Sequence, residues 1–568
     1  MQGMKKGLAQ YGDAGFSLFL RKAFIKAMGY SDDALDRPIV GITDTYSAYN
    51  ACHRNVPELI EAIKRGVMLA GGLPIEFPVI SIHEAFSHPT SMFLRNLMAV
   101  AAEEMIRAQP MDAVVLIGGC DKTVPALLMA AASADVPAIL TVTGPMITGS
   151  HKGERLGACT DCRRLWGKHR AGAIDGAEIE QINGQLAPGP GTCMVMGTAS
   201  TMALCAEAMG MMLPGGAAIP AVHADRLRHG EATGARAVAM AKEGLRPTQV
   251  MTKPAVENAL RVLQAIGGST NGLVHLAAIA GRLGFDIDYA KFDRMGAETP
   301  VLVDLKPSGQ HYMEDLHKAG GLGPILREIR EQLDLDCLTV TGGSLGSTIP
   351  PAATWQQDVI RPVTDPIHKG GGLRMLYGNL APNGAVIKQA AATPRLLKHT
   401  GRAVVFRSLA DLAERIDDPA LEVTADDVLV LQNAGPKGAP GMPEAGYLPI
   451  PKKLAAAGVA DMVRLSDARM SGTAFGTIVL HISPECAEGG PLALVRDGDR
   501  IALDVAAGRI ELLVDEATLA ARRRDWAPPA HPARGYYRLY YDEVLQAEYG
   551  CDFDFLRKHP LRDARTKA

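Results

Sequence analysis

The sequence has few aromatic residues, no long run of basic residues and no long apolar stretch. Phe, Trp and Tyr make up 5% of the 568 residues, and 59 basic against 62 acidic residues give a formal net charge of −3. Binding to nucleic acid usually needs a basic surface and, for unpaired bases, aromatic side chains to stack on. The composition therefore indicates no nucleic-acid partner. No apolar segment has the roughly 20 residues that a membrane helix needs, so we expect no membrane partner either.

The sequence also lacks a recognisable secretory signal and an even set of cysteines. Arg21, Lys22 and Lys26 interrupt the apolar residues near the N terminus, where a signal peptide has an unbroken apolar core. The nine cysteines are an odd number, which argues against a framework of paired disulfides. We therefore expect a cytoplasmic protein whose cysteines are reduced core residues, ligands or nucleophiles.

No Walker A loop or dinucleotide fingerprint is present. Residues 267–271 and 342–344 resemble anion-binding turns, but neither has the spacing of those nucleotide motifs. Alone, each turn is a weak indication of a site.

What the sequence does contain begins with a regular alternation of strand and helix patterns. Short apolar or β-branched runs are followed by helical segments that start near Pro or end at Gly. The predicted strands are residues 38–43, 79–82, 113–117 and 138–142, and the predicted helices are residues 57–63, 92–107 and 126–132. Because this alternation is typical of parallel sheets, it predicts an α/β fold.

The rest of the chain has a different texture. The middle third is rich in Ala and Met and predicts helices within residues 198–212 and 254–283, and residues 347–372 have the Pro, Gly and Thr content of a linker. Short strand patterns follow at residues 403–406, 427–431, 477–482, 500–505 and 509–514. We therefore predict an α/β domain with a helix-rich middle region over residues 1–360 and a β-rich, barrel-like domain over residues 361–568.

Three cysteines lie just before predicted helices. Cys52 follows the first strand, Cys120 follows the third strand, and Cys193 follows a Pro- and Gly-rich loop. A helix N-terminus favours a thiolate, and the carboxyl ends of parallel strands commonly bind ligands. The three thiolates could therefore converge, although their separations form no compact metal motif. Three unrelated core cysteines are the alternative interpretation.

Cys159 and Cys162 form a C-x-x-C pair, a spacing found in zinc sites and thiol oxidoreductases. No second pair completes a four-thiolate zinc site, and no clear strand precedes the motif as in thioredoxin-like proteins. We therefore interpret the pair as unrelated to function. The remaining cysteines are expected to be structural: Cys205, Cys337, Cys486 and Cys551.

Several polar segments are more elaborate than a core or a turn requires. Residues 118–125 contain Asp121 and Lys122 directly after a cysteine, although a capped helix start is the alternative. Residues 434–444 and 466–473 are Gly-containing polar segments of the kind that form binding loops, although simple turns are the alternative.

Taken in order, these segments resemble the dihydroxy-acid and sugar-acid dehydratase family. The matching segments span nearly the whole chain: residues 51–55, 71–77, 118–125, 191–193, 267–271, 435–444 and 469–472. One such segment would mean little, whereas the full set in the family's order makes the resemblance specific.

The resemblance implies two cofactors and a base. Three cysteines would hold an iron–sulfur cluster, with [2Fe-2S] favoured over [4Fe-4S]: Cys52, Cys120 and Cys193. Four residues would surround a divalent metal, usually Mg²⁺: Glu84, Asp121, Lys122 and Glu444. Lys122 is carbamylated in the family and would act as an anionic, catalytic ligand. Ser471 would be the catalytic base, with Arg469 and Thr473 at the substrate.

The chemistry that the resemblance implies is removal of water from a polyhydroxy acid. A proton leaves the carbon beside the carboxylate, hydroxide leaves the next carbon, and the enol becomes a 2-keto-3-deoxy acid. Mg²⁺ would stabilise charge at the carboxylate, and a cluster held by three cysteines would offer an open iron as a Lewis acid. A neutral serine is a weak base and needs activation by the metal, Arg469 or backbone donors.

Three departures favour the sugar-acid branch over the branched-chain amino-acid enzymes. Glu84 stands where those enzymes carry Asp, Met470 and Thr473 depart from their Arg-Phe-Ser-Gly-Gly pattern, and polar residues 53–55 follow the first cysteine. This polarity suits a pentonate or hexonate, a small-molecule sugar-acid substrate. The alternative with the same chemistry is the dihydroxy-acid dehydratase of branched-chain amino-acid biosynthesis.

Two further alternatives belong to other classes. A non-catalytic iron–sulfur protein would need neither Ser471 nor the acidic residues, which argues against it. A thiol oxidoreductase using Cys159 and Cys162 lacks its strand context. The resemblance also implies a homodimer or homotetramer with the site near a subunit interface.

Overall fold

A four-stranded parallel sheet organises the N-terminal half of the chain. In the computed structural model, which describes residues 3–351 and 357–561, the strand order is β2-β1-β3-β4. These strands are β1 Ile39–Asp44, β2 Leu73–Pro78, β3 Ala113–Gly118 and β4 Ala138–Val142, and a separate hairpin is β5 Gly149–His151 with β6 Glu154–Leu156. Strand β3 is apolar and buried along its whole length, as a central parallel strand should be. The predicted parallel α/β sheet is confirmed.

The second strand of this sheet lies earlier than predicted. Residues 79–82 are irregular, and the strand is β2, which contains Pro74 and Pro78. The prediction for residues 79–82 is wrong because prolines are unusual inside a strand. They are tolerated here because β2 is an edge strand that pairs with β1, where a missing N–H need not break a ladder. Residues 79–82 instead lead the chain away from the sheet towards His83 and Glu84.

Helices pack against this sheet and against each other into one large apolar core. Up to residue 351 they are α1 Ala14–Lys26, α2 Asp32–Leu35, α3 Val56–Leu69, α4 Ser91–Ala108, α5 Thr123–Ala134, α6 Thr160–Arg170, α7 Gly176–Asn183, α8 Thr198–Ala208, α9 Ala224–Glu243, α10 Pro247–Val250, α11 Lys253–Ala265, α12 Thr270–Leu283, α13 Tyr289–Glu298, α14 Met313–Lys318, α15 Leu322–Glu328 and α16 Leu345–Thr348. The helical pattern over residues 254–283 is two helices, because Gly267 adopts φ +57° and Ser269 caps α12.

The C-terminal region contains a closed eight-stranded barrel in the order β10-β11-β12-β8-β7-β14-β13-β9. Its strands are β7 Arg374–Gly378, β8 Ala381–Ile387, β9 Lys398–Phe406, β10 Val428–Leu431, β11 Val463–Ser466, β12 Ile478–Ser483, β13 Arg500–Asp504 and β14 Arg509–Leu512. Helices α17 Leu409–Arg415, α18 Lys452–Ala456, α19 Glu516–Asp525 and α20 Gly535–Glu543 lie between or after the strands. The predicted β-rich, barrel-like region is confirmed.

Residue alternation explains how the barrel strands are covered on both faces. Ala403 and Val405 of β9 belong to an apolar cluster to which every barrel strand contributes, and which therefore fills the interior. The intervening Val404 and Phe406 belong to a second cluster with α17. Strands β7, β8 and β11 have no counterpart among the predicted strands, since β8 contains Pro382 and Gly384 and β11 is short.

The Pro- and Gly-rich segment 347–372 is not a free linker in its described part. Arg361 N–H donates to Leu302 O (2.7 Å), Asp304 N–H donates to Val359 O (2.8 Å), and Ile360 is buried. The prediction of a linker is therefore wrong for residues 357–372, which bind along residues 301–304. Residues 352–356 lie outside the described residues.

The two regions share apolar packing, which brings loops from both to one site. The large core of the N-terminal region includes Met470, Ile478 and Leu480 from the barrel side. The boundary at residue 360 stays a prediction. In the described parts of the chain, no helix is both long enough and apolar enough to cross a membrane.

Candidate active site

A cluster of thiols lies at the carboxyl ends of the parallel strands, and we call it the thiol group. Cys52 follows β1, Cys120 follows β3, and His83 follows the edge strand β2. The two sulfur atoms and a ring nitrogen of His83 all lie within 4.8 Å of one another. Because neighbouring parallel strands end at the same edge, residues distant in sequence meet here.

Polar residues next to Cys52 hold the thiol group in position. Cys120 N–H donates to His53 Nε2 (3.0 Å), and His53 Nδ1 lies 2.7 Å from Thr45 Oγ1. Burial lowers the pKa of His53 to about 3, so the ring is neutral and can accept this hydrogen bond. Asn55 Nδ2 donates to Thr143 O (3.0 Å). The polar side chains of His53 and Asn55 therefore bind the protein scaffold, which corrects the expectation that they add polarity for substrate hydroxyls.

The third predicted cysteine, Cys193, lies in contact with Cys159, whose sulfur is 3.5 Å away. Contact with Cys159 and burial raise the pKa of Cys193 well above its ordinary value, and the charges of Cys159 and Cys52 contribute. Hydrogen bonding from Cys162 and Cys193 lowers the pKa of Cys159. Cys159, whose C-x-x-C pair is predicted to be unrelated to function, therefore joins the thiol group.

An acidic group adjoins the thiol group through the next residue of the chain. Carboxylate oxygens of Glu84, Asp121 and Glu444 all lie within 4.8 Å of one another. The buried Lys122 extends its Nζ to 3.2 Å from Glu84 Oε2 and 3.6 Å from Asp121 Oδ2. Glu84 and Asp121 come from loops of the parallel sheet, whereas Glu444 comes from the C-terminal region, so the acidic group forms only where the two regions meet.

The buried Arg469 ties two of these carboxylates together. Its Nη1 donates to Glu444 Oε1 (2.6 Å), and its Nη2 donates to Glu84 Oε1 (2.9 Å) and to Thr90 Oγ1 (2.8 Å). Burial alone would raise the pKa of Glu84, but Arg469 and Lys122 hold it well below its ordinary value. Burial and the nearby Glu84 raise the pKa of Glu444 to about 7. The group is therefore short of positive charge.

The loop that carries Ser471 is held from several sides. Ser471 Oγ lies 2.8 Å from Thr473 Oγ1. Thr160 Oγ1, at the start of α6, donates to Thr473 O (2.9 Å), and Asn271 Nδ2 donates to Met470 O (3.0 Å). The buried Lys388 Nζ donates to Gly472 O (3.3 Å). These contacts fix the loop that contains the predicted base.

A glycine between Ser471 and Thr473 is required by this packing. A Cβ on Gly472 would lie 2.5 Å from Ser269 Cβ at the cap of α12, closer than side chains approach. Residues 267–271, which resemble an anion-binding turn, therefore support the serine loop from behind.

The donor sets fit two different cofactors. Thiols are soft ligands that suit iron–sulfur clusters, and the thiol group supplies them at one end of the sheet. Carboxylates are hard ligands that suit Mg²⁺, and the acidic group supplies three. Because Cys120 and Asp121 are consecutive, the two cofactors would be neighbours.

Several residues of this site lie outside the predicted set, among them Thr90 beside Arg469 and Lys388 beside Gly472. His83 precedes Glu84, and its signal was its position after a strand end. Cys159 belongs to the C-x-x-C pair, which is predicted to be unrelated to function. Thr160 follows Cys159 and contacts the serine loop, and nothing in the sequence indicates that contact.

Comparisons with known proteins agree with the architecture. A family model described as Dihydroxy-acid/6-phosphogluconate dehydratase N-terminal matches residues 37–348, and one described as Dihydroxy-acid/6-phosphogluconate dehydratase C-terminal matches residues 358–551. An L-arabonate dehydratase of Azospirillum brasilense is 48% identical, covering 95% of this chain and 94% of the relative. A 6-deoxy-6-sulfo-D-gluconate dehydratase of Pseudomonas putida is 47% identical, covering 93% and 92%. A dihydroxy-acid dehydratase of Syntrophobacter fumaroxidans is 39% identical, covering 93% and 96%.

Proposed function

The chain belongs to the dihydroxy-acid/6-phosphogluconate dehydratase family, and from this premise we propose that it dehydrates a sugar acid, a pentonate or hexonate, to the 2-keto-3-deoxy acid. It is an enzyme, a hydro-lyase, as its family and its relatives' names indicate. The observation that carries the proposal is the adjacency of the thiol and acidic groups, joined through Cys120 and Asp121.

The proposed cofactors are a [2Fe-2S] cluster on Cys52, Cys120 and Cys193 and a Mg²⁺ ion at the acidic group. When bound, the cluster would supply a Lewis-acidic iron for the departing hydroxyl, and Mg²⁺ would neutralise charge at the substrate carboxylate. The raised pKa of Glu444 beside the ionised Glu84 supports a cation at this site, because a divalent ion would allow Glu444 to ionise as well.

Lys122 is proposed to be carbamylated. As an ammonium, its Nζ lies among the carboxylates of Glu84 and Asp121 and would repel a divalent cation. Addition of carbon dioxide to the neutral amine, with loss of one proton, would convert this cation into an anionic oxygen ligand. The buried, carboxylate-lined position of Lys122 therefore supports a modified rather than a free lysine as the metal ligand.

Ser471 is proposed to take the proton from the carbon beside the substrate carboxylate. Its Oγ is largely shielded from solvent and is hydrogen-bonded to Thr473, so its position is fixed. Arg469 is engaged with Glu84 and Glu444, which supports a role in orienting these ligands beside the substrate. Thr473 would orient Ser471 and meet a substrate hydroxyl.

The sugar-acid branch is favoured over the branched-chain alternative by the relatives. The two relatives named for sugar acids are 47% and 48% identical to this chain, whereas the dihydroxy-acid dehydratase above is 39% identical. A cytoplasmic location and a homodimer or homotetramer remain predictions.

The first test is a substrate comparison with the anaerobically purified full-length chain, loaded with iron, sulfide and Mg²⁺. L-Arabonate, a hexonate and 2,3-dihydroxyisovalerate are each incubated, and the 2-keto product is measured by mass spectrometry. We expect a kcat/KM that is highest for a sugar acid. A preference for 2,3-dihydroxyisovalerate would assign the chain to the branched-chain alternative. Iron quantitation separates a two-iron from a four-iron cluster.

The role of Ser471 is tested by Ser471→Ala. We expect kcat to fall roughly 10²- to 10⁴-fold, the usual contribution of a positioned base, with iron and Mg²⁺ content unchanged. The exposed Ser150, on the β5 hairpin, provides the control Ser150→Ala, which should keep full activity. Full activity of Ser471→Ala would remove the serine from the mechanism.

A further inference from the structure

The C-x-x-C segment reaches the thiol group with one of its two cysteines. Cys159 caps the N-terminus of α6, and its sulfur lies 3.5 Å from the sulfur of Cys193. Both residues lie on non-helical backbone, Cys193 in the irregular stretch before α8. A disulfide bond is about 2.05 Å long, so the two sulfur atoms need to approach by roughly 1.5 Å. Side-chain rotation and small backbone shifts in two such segments can supply that movement.

Exposure sets Cys193 and both cysteines of the C-x-x-C pair apart from the other cysteines. Of the nine cysteines, Cys159, Cys162 and Cys193 are partly exposed, and the other six are buried. A small soluble oxidant therefore has more access to the Cys159–Cys193 pair than to Cys52 and Cys120, which are buried. Oxidation of cysteines follows such access.

We propose that Cys159 and Cys193 are a modification site, forming a reversible disulfide when Cys193 holds no cluster and a peroxide is present. The pair itself depends on the geometry described above. Its consequence rests on the proposed function, in which Cys193 is a cluster ligand. The disulfide would remove that ligand and block cluster assembly until it is reduced.

Hydrogen peroxide serves as the oxidant that disulfide formation requires. The Cys159 thiolate attacks one peroxide oxygen, an S–O bond forms, the O–O bond breaks, and hydroxide leaves. The Cys193 sulfur then attacks the oxidised sulfur as its thiol proton is lost, the S–S bond forms, the S–O bond breaks, and a second hydroxide leaves. With the two thiol protons, the products are one disulfide and two waters. A dithiol reductant reverses the bond by thiol–disulfide exchange.

The same segment connects this pair with the serine loop. Thr160, directly after Cys159, donates to Thr473 O (2.9 Å), and Asp161 is held by Lys306 (3.1 Å) and by Tyr312 (2.9 Å). The C-x-x-C segment is thus fixed between the thiol group and the predicted base. These contacts hold Cys159 beside Cys193.

The test maps disulfides in the full-length, metal-free protein after hydrogen peroxide treatment and blocking of free thiols. We expect one dominant cross-linked peptide that joins Cys159 to Cys193, lighter by two hydrogens than the reduced pair and lost after dithiothreitol. Trypsin leaves Cys159 and Cys162 in one peptide, residues 156–163. Fragment ions must therefore identify which of the two cysteines is cross-linked. A dominant Cys159–Cys162 or Cys52–Cys120 disulfide, or over-oxidised cysteines without a cross-link, would overturn the proposal.

Two variants test which cysteine of the C-x-x-C pair forms the cross-link. Cys159→Ser should abolish the cross-link, whereas Cys162→Ser, the matched change at the other half of the motif, should keep it. Persistence of the cross-linked peptide in Cys159→Ser would disprove the pairing. Because the wild-type map is itself decisive, misfolding of either variant does not leave the proposal open.

Cluster uptake separates this proposal from the proposed function. We expect oxidised wild-type protein to take up little iron and sulfide until it is reduced, and Cys159→Ser to take up both after the same treatment. If reduced wild-type protein takes up no cluster, the proposed function fails while the disulfide map stands. If the reduced protein loads normally and no 159–193 disulfide forms, the function stands and this proposal fails.

Discussion

Two consecutive residues contribute to different clusters where the thiol and acidic groups meet. Cys120 turns towards Cys52, while the next residue, Asp121, turns towards Glu84 and Glu444. Such division is possible because the chain leaves strand β3 and has not yet entered helix α5, so consecutive side chains point in different directions. His53 holds Cys120 in place, and Thr160 and Lys388 hold the serine loop in the same way.

Thr160→Val tests the contact behind the serine loop. The substitution keeps the side-chain shape and removes the hydrogen bond to Thr473 O. A buried hydrogen bond is worth about 1 kcal/mol, so we expect kcat to fall roughly fivefold. Steady-state kinetics should show this loss with iron content unchanged. Thr518→Val, at the start of α19, is the control and should leave kcat unaltered. Unchanged kcat in Thr160→Val would show that the loop does not depend on this bond.

Lys388→Met tests the burial of an amine beside Gly472. Burial lowers the pKa of Lys388 to about 7, against an ordinary value of 10.5. Between these values the unfolded chain binds a proton that the folded protein does not. The free energy of unfolding therefore rises with pH, by up to about 1.4 kcal/mol per pH unit. This stabilisation is complete above pH 10.5 and is lost as the pH falls through 7.

The variant lacks this titration, so the wild type should gain stability relative to Lys388→Met on going from about pH 7 to about pH 9.5. Urea unfolding at both pH values measures the difference. The exposed Lys398 gives the control Lys398→Met, whose difference from wild type should not vary with pH. If the difference in the free energy of unfolding between the wild type and Lys388→Met is the same at both pH values, the buried amine is solvated.

At the scale of elements, the site depends on where strands end and how closely helices pack. β1, β2 and β3 end at one edge and deliver Cys52, His83 and Cys120. Helix α3 follows Cys52, and it crosses α9 at glycines. A Cβ on Gly66 would lie 1.9 Å from Glu231 O, and one on Gly234 would lie 2.2 Å from Ile63 O.

Gly66→Ala should destabilise the protein, because the added methyl group meets backbone atoms that cannot rotate away. We expect a loss of at least about 2 kcal/mol in the free energy of unfolding, typical of overpacking in a core. Gly167→Ala, in α6, is the matched control, since nothing lies within 4 Å of its Cβ. It should be neutral or gain up to about 1 kcal/mol from helix propensity. Similar unfolding midpoints for both variants would contradict close packing of α3 on α9.

At the scale of the whole molecule, the end of the described chain returns to the N-terminal region. Arg95 Nη2 donates to Gly550 O (2.7 Å), and Arg282 Nε donates to Asp552 Oδ2 (2.8 Å). Both arginines are buried, so these contacts hold the segment after α20 firmly against α4 and α12. The glycine-rich loop with Glu444 packs nearby, where Gly441 fits against Phe93. Docking of the segment after α20 on the N-terminal region is therefore linked to assembly of the acidic group.

Asp552→Asn tests this closure. The substitution keeps the side-chain shape but leaves the buried Arg282 with Glu103 as its remaining carboxylate, at 3.2 Å. Removing one partner of a buried pair costs about 3 kcal/mol. Thermal unfolding should show a lower midpoint, whereas Asp504→Asn, at the pair with the exposed Lys398, should show a much smaller change. An unshifted midpoint in Asp552→Asn would mean that Glu103 compensates.

The sequence by itself determined the class of fold and the family, and it supplied the candidate residues of the site. Local patterns sufficed for β1, β3, β4 and five barrel strands, because apolar runs and turn residues are local properties. They failed for β2, because an edge strand tolerates prolines that a sequence pattern excludes. The predicted ligands came from a resemblance, since cysteines so far apart form no local motif.

Only the tertiary structure decided which side chains meet. It placed Cys159 against Cys193 and Thr160 against Thr473. It also directed the side chains of His53 and Asn55 to hydrogen bonds with the protein backbone. Arg469 joins Glu84 to Glu444 although one comes from the sheet loops and the others from the C-terminal region. Such contacts depend on how the N-terminal and C-terminal regions pack together. Neither the spacing of residues along the chain nor its composition specifies the distance between side chains of the two regions.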